Sequence, residues 1–477
     1  MKVRTKTSIF LLAASIIFGW QLVGVEQLKA QQKKQKVTQR ALIQSRNDIF
    51  PVVDYHTHLL GPFALPMPEP LPPEVKLPPE LERLLTERSR LVGNVATESD
   101  FKNIFTEDAQ LLNARIAPTD WMRDKHWFMR YLNLWSKTDR YRFAPNHYAF
   151  SGETGYIAGT VVRESTKEHV WNFLLGIKKG ADRLWRIAAD STTERKPPNY
   201  TKPLTADGLV KDLDEAGIKR AVVLSEAFWL GGPAGTNTTK RMIEAKDEAT
   251  GVRGENDWTA QQVARYPNRL ILACAVDPLK DYAIPELVRC ARDLEAKAMK
   301  LNLSGLGFSF DNREQIEKLA RFFKAANDNR IAIVIHLEPG HFYGPREVEI
   351  FLDRIVSVAP DITIQIAHLA GNGPGISSPE ALAAFAEARA VKDPRTKNLY
   401  FDFAGLVDKE MSAKEAELMV TRMRQIGLDR VLYASDSQPG GIGNPPTAEQ
   451  WALTRRKLPL TDAQLRIIAN NIAPYIR

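Results

Sequence analysis

The sequence predicts an α/β fold: a (β/α)8 TIM barrel with an inserted α+β domain after its first strand. Eight apolar, strand-like segments alternate with helical segments, and several of the strand segments end in His or Asp. A long segment between the first two strands shows helices and then a run of strands. Strict alternation of strands and helices favours a parallel sheet, and eight such units favour a closed barrel.

The composition is that of an ordinary globular protein, with 44% hydrophobic and 26% charged residues among 477. This length favours two domains. The net charge of +8 is modest and is concentrated near the N-terminus, so no nucleic-acid partner is expected. Cys274 and Cys290 lack metal-binding spacing. Two buried free thiols are expected, with a single disulfide as the alternative.

The first 47 residues have the pattern of an export signal and a spacer. Residues 1–30 carry basic Lys2, Arg4 and Lys6, followed by an apolar run at 9–20, which is typical of a signal peptide. Residues 31–47 are a polar spacer rich in Gln and Lys. We expect a periplasmic or secreted protein with no stable membrane insertion after cleavage. An uncleaved membrane anchor is the alternative.

Residues 48–60 supply the first barrel strand, with His56 and His58 at its tip. Residues two apart on a strand share a face, so both imidazoles point the same way. Side by side they form half of a metal site. The alternative for this pair is an ordinary polar strand end.

Residues 80–199 form the predicted insert, which follows a proline-rich connector. Helical patterns lie at 80–90, 99–105 and 121–135, and strands are predicted at 141–150, 155–163, 169–178 and 184–190. Helices followed by a meander of strands predict an α+β unit.

The barrel resumes over residues 200–477. Its predicted strands are 219–225, 270–276, 298–303, 331–336, 362–368, 399–403 and 431–435. The fifth and sixth strands of the barrel end at His336 and His368, and Asp436 follows the eighth. These strand ends converge on one end of a barrel, where imidazole and carboxylate ligands suit Zn²⁺. Lys300, on the strand at 298–303, lies short of its strand tip.

These motifs resemble the amidohydrolase superfamily, specifically the amidohydrolase-related branch that includes aminocarboxymuconate-semialdehyde decarboxylase. The matching pieces are Val52-Val53-Asp54-Tyr55-His56-Thr57-His58, residues 213–218, the strand ends at His336 and His368, and Tyr433-Ala434-Ser435-Asp436. The metal ligands that the resemblance implies are His56, His58, His336 and Asp436, around a divalent metal that is expected to be one Zn²⁺. It further implies that His368 and Asp436 are the catalytic residues, or that His368 ligates a second metal.

The insert resembles the ketosteroid-isomerase-like cone fold in residues 105–109, 155–159 and 179–190. The resemblance implies a pocket for a small apolar molecule. The aromatic residues that would line it are Tyr131, Trp135, Tyr156, Trp171 and Trp185. The alternative is that these aromatics are core residues.

The superfamily resemblance implies an exported metal-dependent hydrolase that uses metal-activated water on an amide, ester or lactone. Two alternatives stay open. One is a metal-dependent, non-oxidative decarboxylase of a small aromatic or unsaturated acid. The other is a catalytically idle ligand-binding protein. The partner is a small-molecule substrate, and a homo-oligomer is left open. Arg346 and Trp229 are candidates to contact a substrate carboxylate and ring, with surface positions as the alternative.

Overall fold

The computed structural model describes residues 49–64, 71–93, 98–113, 140–194, 202–231, 247–339, 342–373, 375–441 and 444–477. The predicted signal peptide, the polar spacer and the helical pattern at 121–135 lie outside the described residues. Backbone contacts divide the chain into two units, Met1–Phe50 and Pro51–Arg477, and every element below belongs to the second. Within the described ranges, no helix combines the length and hydrophobicity needed to cross a bilayer.

The second unit contains thirteen strands among its described residues. In chain order they are β1 (Val53–His58), β2 (Phe105–Asn113), β3 (Tyr141–Ser151), β4 (Thr154–Arg163), β5 (His169–Lys179), β6 (Trp185–Glu194), β7 (Arg220–Leu224), β8 (Leu270–Ala275), β9 (Ala298–Asn302), β10 (Ala332–His336), β11 (Ile364–Ile366), β12 (Leu399–Asp402) and β13 (Val431–Leu432).

Helices flank both groups of strands. The α-helices are α1 (Pro79–Gly93), α2 (Glu98–Ile104), α3 (Ala206–Ala216), α4 (Glu248–Ala264), α5 (Ala283–Arg292), α6 (Arg313–Asp328), α7 (Pro345–Ile350), α8 (Pro379–Ala390), α9 (Ala413–Ile426), α10 (Thr447–Lys457) and α11 (Asp462–Asn470). Short 3-10 turns follow several barrel strands, including Glu226–Gly231 after β7, Ala367–Ala370 after β11 and Pro474–Ile476 at the C-terminus.

One eight-stranded sheet has the order β1-β7-β8-β9-β10-β11-β12-β13, and its paired strands are parallel. Backbone hydrogen bonds join its two outer strands. The Tyr55 N–H donates to the Tyr433 carbonyl at 3.0 Å, and the Asp436 N–H donates to the His56 carbonyl at 2.8 Å. The sheet is therefore closed between β1 and the end of β13. The predicted barrel is confirmed, with all eight strands in the expected order.

The remaining five strands form a second sheet in the order β2-β6-β5-β4-β3. Strands β3 to β6 are an antiparallel meander, as predicted, and β2 pairs parallel with β6. Helices α1 and α2 contribute Leu81, Leu84 and Phe101 to the core against this sheet. Strand β2 was not expected, because its polar residues obscure the alternation. The cone fold and the domain boundaries stay predictions.

The aromatics of the predicted cone pocket lie in different environments. Trp185 is 3% exposed, and its indole N–H donates to Glu80 Oε1 at 3.0 Å. Trp171 packs against the same core. Tyr156 is 37% exposed and stacks on His147. Tyr131 and Trp135 lie outside the described residues. The three described aromatics thus fit the alternative of core and surface positions better than a shared pocket wall.

The expectation of two free thiols is wrong, because Cys274 on β8 and Cys290 on α5 form a disulfide. The two residues are 16 positions apart, and their Cα atoms lie 6.4 Å from each other. The strand and the helix that follows it pack together in a βαβ unit, which no cysteine spacing rule reveals. The bridge closes a loop and so restricts the unfolded chain.

The loop after β1 is held by the carboxylate of Glu255 on α4. The backbone N–H groups of Gly61, Phe63 and Ala64 donate to it at 2.6, 3.2 and 3.2 Å. Burial raises the pKa of Glu255 to about 7, although the three N–H donors oppose this shift. Because the pKa is higher in the folded state than in the unfolded chain, Glu255 stabilises the fold most in acid. Its contribution is complete below about pH 4.5 and is lost as the pH rises through about 7.

The Glu255→Gln variant is expected to remove this pH dependence. Between pH 4.5 and 8, the free energy of unfolding of the parent protein should fall by about 3 kcal/mol relative to the variant, because ionising the buried carboxyl becomes costly. Urea unfolding across this range measures the difference. Glu314→Gln, at an exposed glutamate, is the control. A constant difference between parent and Glu255→Gln at every pH would contradict the assigned titration.

Candidate metal site

The two histidines of β1 lie at an irregularity of the strand. The register of β1 against β7 shifts between Asp54 and Thr57, so His56 lies within the shift and His58 follows it. Val53 and Tyr55 belong to the buried interior of the barrel. A β-bulge changes the direction of nearby side chains. His56 and His58 both reach Asp436, and their ring centroids lie 5.1 Å apart.

Three of the predicted ligands meet at the carboxyl-terminal end of the barrel. Asp436 Oδ1 lies 3.3 Å from His56 Nε2 and 3.2 Å from His58 Nε2. Their ligand atoms all lie within 4.8 Å of one another. Both imidazoles are buried, and the Asp436 side chain is 23% exposed. Two imidazoles and a carboxylate are a donor set that suits a divalent cation.

Asp436 is held in an unusual backbone conformation. Its φ is +59°, in the left-handed region that few residues other than glycine adopt. Asn444 fixes the carboxylate from behind, donating from Nδ2 to Asp436 Oδ2 at 2.9 Å. The strain and the hydrogen bond together leave Oδ1 directed at the two histidines.

The other two predicted histidines lie beside this group. The ring centroid of His368 is 4.9 Å from that of His56 and 4.8 Å from that of His336. His336 is not one of the three residues whose ligand atoms meet within 4.8 Å. Its Nε2 is buried and has no hydrogen-bond partner among the described residues. A buried imidazole nitrogen that lacks a partner fits a fourth metal ligand, so this role stays a prediction.

His368 lies on a run of strained backbone. His368, Leu369 and Ala370 have φ values of +55°, +48° and +65°. Each left-handed residue costs about 1–2 kcal/mol, and such strain is concentrated at functional sites. The turn explains why β11 ends at Ile366, before the predicted end at 368. The His368 ring is anchored through Nδ1, which lies 2.8 Å from the Ala404 carbonyl.

The surroundings of the histidines shift their pKa values, downward for His56 and His336 and upward for His58. Burial lowers the pKa of His56 to about 3, and the nearby Lys300 adds to the effect. Burial also holds the pKa of His336 well below its ordinary value. For His58, burial lowers the pKa, but Glu226 and Asp436 outweigh it and raise the pKa overall. His56 and His336 are therefore neutral at neutral pH, the form in which imidazole ligates metal.

Asp402, at the end of β12, supports the site and was missed by the sequence analysis. Its Oδ2 lies 3.3 Å from His56 Nδ1, and its Oδ1 accepts from the His368 N–H at 2.9 Å. Burial would raise its pKa, but His56 and its other donors outweigh burial and hold the pKa far below the ordinary value. A second carboxylate, Glu226, lies 3.2 Å from His58 Nδ1. Acidic residues at the ends of β12 and β7 were the available signal.

Lys300 reaches the site, although the sequence places it short of the tip of β9. Its Nζ lies 3.3 Å from His56 Nε2. Burial lowers the pKa of Lys300 to about 8, and nearby carboxylates including Asp436 partly oppose this. The long lysine side chain spans the distance from its position on β9 to the site. The preference for one metal remains a prediction.

Arg346 fits its surface alternative. It is 59% exposed and pairs with Asp311 at 2.9 Å and Glu347 at 2.8 Å. The side chain of Trp229 and the whole of His341 lie outside the described residues. Phe228, next to Trp229, is buried, and its ring lies 6.4 Å from that of His58. One buried aromatic ring, that of Phe228, thus lies beside the proposed ligand His58.

Comparison with known proteins gives a family match. A family model described as "Amidohydrolase" matches residues 169–471. This span includes His336, His368 and Asp436, whereas His56 and His58 lie N-terminal to it and join the site through β1. No curated protein matches the chain.

Solved structures provide more distant matches. A putative amidohydrolase from Staphylococcus aureus is 18% identical, covers 55% of this chain and 88% of its own, and has a TM-score of 0.40. A 5-carboxyvanillate decarboxylase from Sphingomonas paucimobilis is 17% identical, with 55% and 79% covered and a TM-score of 0.38. An amidohydrolase from Burkholderia multivorans with bound zinc is 13% identical, with 55% and 84% covered and a TM-score of 0.36.

Proposed function

Because the chain belongs to the amidohydrolase family, we propose that it is an exported metal-dependent hydrolase acting on a C–N or C–O bond of an amide, ester or lactone. The observation that carries the proposal is the convergence of His56, His58 and Asp436 at the carboxyl-terminal end of the barrel. His336, whose buried Nε2 has no hydrogen-bond partner among the described residues and lies 3.8 Å from Glu338 Oε2, completes the proposed ligand set.

A divalent metal, proposed to be one Zn²⁺, would supply a Lewis acid that polarises a substrate carbonyl and makes a water more acidic. His56 and His58 would hold it through Nε2, since each Nδ1 faces an oxygen acceptor. His368 Nδ1 donates to the Ala404 carbonyl, which leaves His368 Nε2 as a proton acceptor. In the proposed reaction, His368 Nε2 takes one proton of the water as its oxygen bonds to the carbonyl carbon. The same proton is then passed through Asp436 to the leaving group as the C–N or C–O bond breaks.

Export is part of the proposal. Its first support is the signal-peptide pattern of residues 1–30. Its second is the Cys274–Cys290 disulfide, because disulfides persist in the periplasm and outside the cell and are rare in the cytosol.

A second candidate is non-oxidative decarboxylation of a small aromatic or unsaturated acid. The buried ring of Phe228 beside His58 favours it, because a flat apolar wall next to cation ligands suits an aromatic carboxylate. In this reaction His368 Nε2 would take up a proton from solvent and deliver it to the carbon as the bond to the carboxylate breaks and carbon dioxide leaves. The idle-barrel alternative is disfavoured by the complete set of ligand and acid–base side chains.

Elemental analysis of the purified protein, combined with a screen of amides, esters, lactones and aromatic acids, tests the proposal. We expect about one equivalent of divalent metal, and an activity that a chelator removes and added metal restores. Hydrolysed fragments identify the hydrolase, and released carbon dioxide identifies the decarboxylase. Protein that binds no metal, or an activity indifferent to chelation, would overturn both.

A further inference from the structure

A chain of hydrogen bonds runs through the barrel interior from the metal site to the C-terminal turn. Tyr475 in this turn donates its hydroxyl to Gln365 Oε1 at 2.8 Å. Gln365, on β11, donates from Nε2 to Asp402 Oδ2 at 2.6 Å. The same Asp402 oxygen lies 3.3 Å from His56 Nδ1. Four side chains therefore connect opposite ends of the barrel.

The negative charge of Asp402 sets the donor and the acceptor in every one of these hydrogen bonds. Asp402 carries a carboxylate, which only accepts, so the Gln365 amide must turn its N–H toward it. Gln365 Oε1 then faces Tyr475, whose hydroxyl must donate. At the other end, the carboxylate accepts a hydrogen bond from the N–H at His56 Nδ1. His56 Nε2 is therefore unprotonated and able to ligate a metal.

The C-terminal turn is fixed against the bottom of the barrel. The Ala473 N–H donates to the Tyr55 hydroxyl at 2.7 Å, and that hydroxyl donates to the Asn471 carbonyl at 3.2 Å. The rings of Tyr55 and Tyr475 meet edge to face at 6.2 Å. Burial raises the pKa of Tyr475 well above its ordinary value, which keeps its hydroxyl protonated as the donor this geometry requires. The turn thus presents one polar hydrogen to the barrel interior.

We propose that Tyr475 is a positioning residue for the metal ligand His56 and acts on it through Gln365 and Asp402. This inference rests on the metal site of the proposed function, but not on which reaction occurs there. Tyr475 orients the Gln365 amide, and the amide holds Asp402 Oδ2 in place beside His56 Nδ1. Without the hydroxyl, the Gln365 amide loses the partner for its oxygen. Its Nε2 then keeps only the Asp402 carboxylate and the Tyr55 carbonyl as acceptors, and the Tyr55 carbonyl can draw it away from Asp402.

The Tyr475→Phe variant removes the hydroxyl and keeps the ring against Tyr55. We expect its dissociation constant for Zn²⁺, measured by chelator competition, to rise about 3- to 10-fold, because outer partners of histidine ligands affect metal affinity strongly. Tyr266→Phe is the matched control. It loses a tyrosine hydroxyl bonded to Asp207, outside this chain of bonds, and its Zn²⁺ affinity should equal that of the parent.

Melting temperatures of the metal-free proteins separate positioning from general stability. If Tyr475→Phe lowers the melting temperature of the metal-free protein but leaves Zn²⁺ affinity unchanged, Tyr475 is only structural and the proposal is overturned. Gln365→Leu provides a second variant, which removes the central side chain of this series of hydrogen bonds. The effects of Tyr475→Phe and Gln365→Leu on Zn²⁺ affinity should be non-additive, because both act through the same bond to Asp402.

Additive effects would contradict the proposal as well. Zn²⁺ affinity is measured without any substrate, so a failed search for hydrolysis leaves this test intact. A parent protein that binds no Zn²⁺ would instead remove the metal site, and with it both the proposed function and the role of Tyr475.

Discussion

Replacing Asp436 by asparagine is expected to abolish metal binding in practice. Asp436 Oδ1 lies within 3.3 Å of both His56 Nε2 and His58 Nε2, and asparagine removes the negative charge that would balance a cation there. We expect metal affinity to fall at least about 100-fold and turnover to fall with it. Isothermal titration of the metal-free protein and chelator-buffered assays measure the two losses.

The substitution is a clean one, because asparagine tolerates the left-handed backbone that position 436 requires. The fold should therefore persist, and the bond from Asn444 Nδ2 to the backbone carbonyl of residue 436 is kept. Asp429→Asn, at an aspartate that is 70% exposed, is the control and should bind metal like the parent. Retained metal stoichiometry in Asp436→Asn would remove Asp436 from the ligand set.

Replacing His368 by asparagine is expected to stop catalysis while the metal stays bound. Position 368 has a φ of +55°, which asparagine also tolerates. The variant loses Nε2, the proposed proton acceptor, and the loss of a general base reduces turnover about 10²- to 10⁴-fold. Turnover and metal content are measured on the same preparations. We expect turnover to be low, whereas the metal content stays at about one equivalent.

His147→Asn, at an exposed histidine of the five-stranded sheet, is the matched control and should keep full turnover. The opposite outcome for His368→Asn is informative. If the metal content falls together with turnover, His368 is a ligand rather than the acid or base, as in the two-metal alternative.

The sequence predicts the parts of the site that follow from periodicity. His56 and His58 share a face, and His336, His368 and Asp436 come at or directly after strands of one parallel sheet, so barrel closure places them at one end. The eight strands themselves are recognisable because strand-like and helical segments alternate regularly along the sequence. His56, His58 and Asp436 do meet in the structure, although the irregularity in β1 and the left-handed backbone at Asp436 also direct their side chains.

The features that sequence reasoning missed depend on side-chain length or on contacts across the fold. Asp402 looks like the polar end of an ordinary strand until His56, His368 and Gln365 are seen around it. Lys300 reaches His56 because its side chain is long. The bulge in β1 and the left-handed turn at 368 are local departures from regular geometry, and periodic patterns cannot show them.

The closure between β1 and the end of β13 has a consequence for folding. The strand that bears His56 and His58 is the first strand of the barrel in the chain, but its bonds to Tyr433, Asp436 and Ser437 require the segment that follows the last one. Contacts between residues so distant in sequence slow folding. His56, His58 and Asp436 therefore come together only when the barrel has closed.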